Sequence, residues 1–123
     1  MILAAWNVNS LNVRLPRLLA WLAASKPDIV CLQETKLEDH KFPVVDIAAA
    51  GYAAHVAGQK TYNGVAILAR EGLAVTDVAV GIPGFADEQK RVIAATVADI
   101  RVVNFYVPNG QSVDSSAAVV VCG

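Results

Sequence analysis

The chain has 123 residues, 55% of them hydrophobic and 17% charged, which is the size of one ordinary domain and excludes both a disordered tail and two separately cored domains. With Lys+Arg 10 and Asp+Glu 11 the formal net charge is -1, so there is no broad positive field for coating nucleic acid, and any such contact must be local. No apolar run reaches the ~18 residues of a membrane span, and MILAAWNVNS lacks the basic start and small-residue cleavage pattern of a signal peptide. These features predict a cytoplasmic protein with no membrane contact.

Residues 2 to 8 (ILAAWNV) form an almost continuous apolar run, which suits a strand covered on both faces. After the turn-like segment Asn9 to Asn12, residues Leu15, Leu18, Leu19 and Leu22 share one helical face that Trp21 joins. Asn12 is placed as the N-cap and Pro16 in the first turn, with the helix ending before Pro27. Asp28 leads into a second buried strand, Ile29 to Gln33. Such a strand, helix, strand unit makes its two strands parallel neighbours and brings Asn7 and Glu34 to one edge of the sheet.

A short helix from about Pro43 to Ala50 closes at Gly51, and strands are predicted at 52 to 57, 64 to 70, 73 to 79, 91 to 98 and 100 to 107. Turns at Asn63-Gly64, Glu71-Gly72 and Asp99 favour antiparallel pairing there. The stretch SSAAVVVCG from Ser115 reads as a divergent or truncated tail behind a unit spanning 1 to 114. Cys31 and Cys122 supply neither a disulfide framework nor zinc spacing, and His40 and His55 have no partner at metal-ligand spacing. No P-loop, dinucleotide fingerprint or nucleophile elbow is present.

Chemistry-bearing residues gather in four segments. Trp6-Asn7-Val8-Asn9-Ser10 places a carboxamide at one strand end, and Leu32-Gln33-Glu34-Thr35-Lys36 places a carboxylate at another. Hard oxygen donors of this kind suit Mg²⁺, which takes a few protein ligands together with water and substrate phosphate. The same residues also describe a turn cap and a solvated strand end. Tyr106, in Asn104-Phe105-Tyr106-Val107-Pro108-Asn109-Gly110, is either a packed strand residue or a phosphate contact, and Lys90-Arg91, Lys36, Arg14, Lys41 and Lys60 are either scattered surface charges or a phosphate grip.

In order along the chain, Trp6-Asn7-Val8-Asn9-Ser10, Pro27 to Lys36 with its Leu-Gln-Glu-Thr-Lys core, Gly51-Tyr52, Asn63-Gly64-Val65-Ala66-Ile67, Arg91-Val92-Ile93 and Asn104 to Gly110 closely resemble the N-terminal half of the exonuclease III and AP endonuclease family, within the endonuclease/exonuclease/phosphatase superfamily. The resemblance covers about residues 1 to 114. It implies an α/β fold, here part of a four-layer deoxyribonuclease I-like sandwich. It also implies Mg²⁺-dependent phosphodiester hydrolysis (Mn²⁺ as an alternative ion) on double-stranded DNA with abasic sites or 3′ ends. By resemblance Glu34 is the metal-binding glutamate and Asn7 the asparagine beside the metal. Tyr106 is the active-site tyrosine, while Arg91, Lys90, Lys36 and Asn109 are DNA contacts.

The family's later Gly-Asp-Phe-Asn-like segment, its Asn/Asp pair and its terminal Asp-His pair have no counterpart in this sequence. The resemblance thus implies a catalytically incomplete form in which the partner sheet is missing, leaving an apolar sheet face open to self-association. The alternatives are a phosphatase-type relative using the same metal site and a non-catalytic interaction module.

Overall fold

The computed structural model describes residues 1–81 and 90–106 together with the backbone of residues 107–108 and 115–122. Its elements run β1 (Leu3–Asn7), α1 (Leu11–Ser25), β2 (Ile29–Gln33), a single 3-10 turn (Asp39–Lys41), α2 (Val44–Ala49), β3 (Tyr52–Ala57), β4 (Val65–Arg70), β5 (Val75–Val80), β6 (Val92–Val97), β7 (Ile100–Pro108) and β8 (Ser115–Cys122). They build two four-stranded sheets, ordered β1-β2-β4-β3 and β5-β6-β7-β8.

In the first sheet β1 and β2 run parallel, with Asn7 opposite Gln33, as the crossover through α1 requires. β4 is antiparallel to both β2 and β3. The central strands IVCLQ and VAILA are buried at every position because each faces two cores. Val30, Leu32, Ala66 and Leu68 point to one side and meet Leu11, Leu18 and Leu22 of α1 and Ile47 of α2. Ile29, Cys31, Val65, Ile67 and Ala69 point to the other and meet Ile93, Ala95, Val97, Val102 and Tyr106 of the second sheet. The described residues therefore form helix, sheet and sheet layers, three of the four in a deoxyribonuclease I-like sandwich.

Three expectations change. The partner sheet is not missing: among the described residues, β5 to β8 form a second sheet that packs on the inner face of the first. Glu71-Gly72 does not close a hairpin, because β4 and β5 belong to different sheets and the turn carries the chain from one to the other. Asn12 is not the cap, since α1 starts at Leu11, where Leu11 N–H donates to Thr35 C=O at 3.0 Å and holds the helix start against the end of β2. The helix ends at Ser25 and is capped by Lys26, whose N–H donates to Leu22 C=O at 3.1 Å and whose left-handed backbone turns the chain away just ahead of Pro27. The stretch from Ser115 pairs along its length with β7, from Pro108↔Ser115 to Arg101↔Cys122.

The end of the first sheet farthest from Glu34 is clamped by polar contacts. Tyr52 O–H donates to the Pro27 carbonyl at 2.6 Å, and burial raises the pKa of this phenol. Asp28 accepts from Ile2 N–H at 2.6 Å and pairs with Arg70. Among the described residues no helix is long and apolar enough to cross a membrane.

Candidate active site

The opposite end of the sheets is where the strands stop early. Glu34 leaves β2 with φ +54°, Lys36 follows with φ +57°, and beside them Asn9 and Ser10 leave β1 with φ +44° and +85°. Left-handed backbone costs a non-glycine residue roughly 1–2 kcal/mol, and four such residues on two adjacent strand ends hold the chain away from its extended path where the polar side chains lie. The bends are pinned by backbone bonds: Val8 N–H to Gln33 C=O at 3.0 Å, Ser10 N–H to Glu34 C=O at 2.8 Å, and Thr35 N–H to Gly64 C=O at 3.1 Å.

Onto this rim the structure brings most of the residues singled out in the sequence. Half-buried Glu34 accepts a hydrogen bond at Oε1 from the hydroxyl of buried Tyr106 at 3.2 Å, a contact that spans the two sheets. Asn7 Oδ1 accepts from Asn9 N–H at 3.1 Å, and Lys36 Nζ donates to Asn9 Oδ1 at 2.7 Å, so the carboxamides and the ammonium are linked along the edge. Arg91 sits opposite Tyr106, whose N–H donates to the Arg91 carbonyl at 3.0 Å. Arg91 Nε is buried without a hydrogen-bond partner. Lys90 is tied in through its backbone, its C=O accepting from Gly64 N–H at 2.8 Å and its N–H donating to Gln59 Oε1 at 2.7 Å. Asn109 lies outside the described residues.

The oxygen donors on the rim include the Glu34 carboxylate, the Asn7 and Asn9 carboxamides and the Tyr106 hydroxyl. A hard dication with retained water fits such a set, whereas zinc would call for nitrogen or sulfur ligands. Among the described residues no three of His, Cys, Asp and Glu gather around one point. With one carboxylate, the rim supplies part of the oxygen ligand set that a hard divalent cation takes. Cys31 lies in the core between the sheets, where burial pushes its thiol up to about 12, so it is not a ligand or nucleophile at neutral pH.

Two residues of this region carry no role in the sequence reading beyond their place in motifs. Gln33 and Asn104 are fully buried amides, one from each sheet, joined by a hydrogen bond from Gln33 Nε2 to Asn104 Oδ1 at 2.7 Å. The available signal was an amide inside or at the end of an apolar strand (IVCLQ, IRVVNFYV), since a buried amide needs a partner.

A helix-covered mixed sheet packed on an antiparallel sheet, with a carboxylate and a tyrosine meeting across the two at the strand ends, is the layered arrangement of the deoxyribonuclease I-like fold. The chain belongs to the Endonuclease/Exonuclease/phosphatase family, whose model matches residues 4–123. It is 34% identical over 113 residues to exodeoxyribonuclease III of Haemophilus influenzae, which covers 88% of this chain and 42% of that protein. It is 30% identical over 115 residues to an exodeoxyribonuclease of Bacillus subtilis, covering 90% and 44%.

Among solved structures, a 3′-5′ exonuclease from Neisseria meningitidis superposes with a TM-score of 0.86 at 50% identity, over 94% of this chain and 44% of that one. An AP endonuclease from Archaeoglobus fulgidus superposes with a TM-score of 0.82 at 40% identity, over 92% and 45%. The chain thus spans less than half the length of the relatives it matches, and its fold is a fragment of theirs.

Proposed function

We propose that this chain forms the N-terminal part of a DNA repair nuclease of the exodeoxyribonuclease III and AP endonuclease kind, a Mg²⁺-dependent phosphodiesterase acting at abasic sites or 3′ ends of double-stranded DNA, in the cytoplasm. The observation that carries this reading is the Tyr106–Glu34 contact at the rim, with Asn7 one strand away, Lys36 hydrogen-bonded to Asn9 and the Arg91 backbone paired with Tyr106. Support also comes from the names of the relatives above and from a Neisseria 3′ phosphatase, 50% identical, whose structure holds a product DNA hairpin.

Glu34, oriented by Tyr106 and with Asn7 nearby, would hold the cation, whose charge when bound polarises the phosphate and stabilises the negative charge that develops on it. The Tyr106 hydroxyl donates to Oε1 and so fixes the carboxylate's rotation. Lys36, Arg91, Lys90 and Asn109 would position the phosphate backbone of the substrate without reading its sequence.

The test uses duplexes with an abasic site or a 3′-phosphate, with Mg²⁺ (or Mn²⁺), and the chain alone or fused to the C-terminal half of the Neisseria exonuclease. Negligible cleavage is expected from the chain alone, because groups that orient the nucleophile are each worth about 10²- to 10⁴-fold. The fusion should cleave, and Glu34→Gln should abolish the reaction. A folded fusion that is inactive, or one indifferent to Glu34→Gln, would overturn the reading. The phosphatase alternative is favoured if only the 3′-phosphate is released, a point raised by the 3′ phosphatase relative.

A further inference from the structure

The two groups that meet at the rim belong to different sheets, so the distance between them depends on what sets the spacing and register of those sheets beside the site. Apolar packing alone does this loosely, because it is non-directional. Among the described residues, a buried polar connection joins the sheets next to the site. Asn104 of β7 is fully buried, and its Nδ2 donates to the carbonyls of Leu32 in β2 and Ala66 in β4, both at 2.9 Å. Leu32 and Ala66 are themselves paired across the first sheet, so one side chain of the second sheet grips two strands of the first. With both amide protons committed, Asn104 Oδ1 must accept, and Gln33 Nε2 supplies the donor at 2.7 Å. The orientation of both amides follows from this pattern without further choice.

Asn104 lies two residues before Tyr106 on the inward side of β7, and Gln33 immediately precedes Glu34. We propose that the Gln33–Asn104 bridge is a positioning device for the site: it fixes the second sheet against the ends of β2 and β4 and so holds the Tyr106 hydroxyl against the Glu34 carboxylate. Gln33 and Asn104 touch neither substrate nor cation in this proposal; they act through the residues next to them. Its value to catalysis rests on the function proposed above, while its effect on the Tyr106–Glu34 contact does not.

The experiment follows the 123-residue chain with Tyr106 labelled at ¹³Cζ, whose chemical shift reports its hydrogen bond and is calibrated by Glu34→Gln. Mn²⁺ binding is titrated in parallel. Asn104→Leu removes the whole bridge, and Gln33→Met removes only the donor to Asn104, leaving the grip on Leu32 and Ala66 and so guarding against a variant that fails to fold. Val102→Ala, on the same inner face of β7, supplies a comparison of equal burial without a polar connection.

In folded Gln33→Met, and in Asn104→Leu where it folds, the Tyr106 signal should move toward that of Glu34→Gln. Mn²⁺ affinity should fall about 10- to 100-fold, the range seen when groups that orient a ligand are removed. Val102→Ala should lower the melting temperature and leave both readings in place. Wild-type Tyr106 and Mn²⁺ readings in a folded Gln33→Met variant, or equal changes in Val102→Ala, would overturn the proposal. Failure of the wild-type chain to bind Mn²⁺ would count against the proposed function, with the Tyr106 shift still deciding the bridge.

Discussion

Gly64 shows how little room is left behind the strand end that carries Glu34. Its φ is +94°, and a methyl group added there would run into Thr35 Oγ1, the residue after Glu34. Its own N–H is committed to the Lys90 carbonyl and its C=O to Thr35 N–H, so it cannot retreat from either neighbour. Gly72 has nearly the same φ, +97°, but open space where a methyl would go. Gly64→Ala is therefore expected to destabilise by about 2 kcal/mol or more, and Gly72→Ala by the smaller backbone contribution alone. Denaturant unfolding of the two variants measures the difference, and equal losses would show that the Thr35 contact is not tight. Because the displaced segment carries Glu34, Gly64→Ala should also weaken divalent-cation binding, whereas Gly72→Ala should not.

Among the elements, β3 carries a titratable group in an unfavourable place. His55 is half-buried, its Nε2 is enclosed without a hydrogen-bond partner, and desolvation lowers its pKa from the ordinary value of about 6.5. A depressed histidine pKa means the folded chain binds fewer protons than the unfolded chain just below pH 6.5. Stability from this group is thus complete above that pH and declines as pH falls toward the folded-state pKa. Thermal melts between pH 7 and pH 5 should show this decline, and His55→Gln should flatten it. An undiminished pH slope in His55→Gln would place its origin elsewhere.

For the molecule as a whole, the covering of one sheet by the other changes the expected source of self-association. Among the described residues β1 pairs only with β2, and β8 only with β7, so both sheets end on strands with an unpaired ladder. The sequence of β8, SSAAVVVC, carries no charge or proline to discourage pairing with another chain. With an interior between the sheets and another beneath α1 and α2, the chain is expected to melt cooperatively and to associate through strand edges with rising concentration. Sedimentation at several concentrations tests this. Val119→Lys or Val120→Lys should weaken association. A chain that stays monomeric at every concentration would show these edges to be silent.

The strand, helix, strand unit and the positions of seven strands from β1 to β7 were legible in the sequence because they rest on local signals: apolar periodicity, the Lys26-Pro27 stop, and the turn residues between strands. The collinear motifs likewise marked Glu34, Asn7 and Tyr106 and pointed to the family before any contact was visible. Only the tertiary structure decided that β4 inserts between β2 and β3, that Glu71-Gly72 passes between sheets, and that β8 completes the second sheet. It alone joined Tyr106 to Glu34 and Asn104 to Leu32, residues 72 positions apart in each case. Periodicity tells a strand which of its faces is buried, but not which sheet will bury it. That choice is made by pairing and packing between distant segments, and no local pattern in the chain records it.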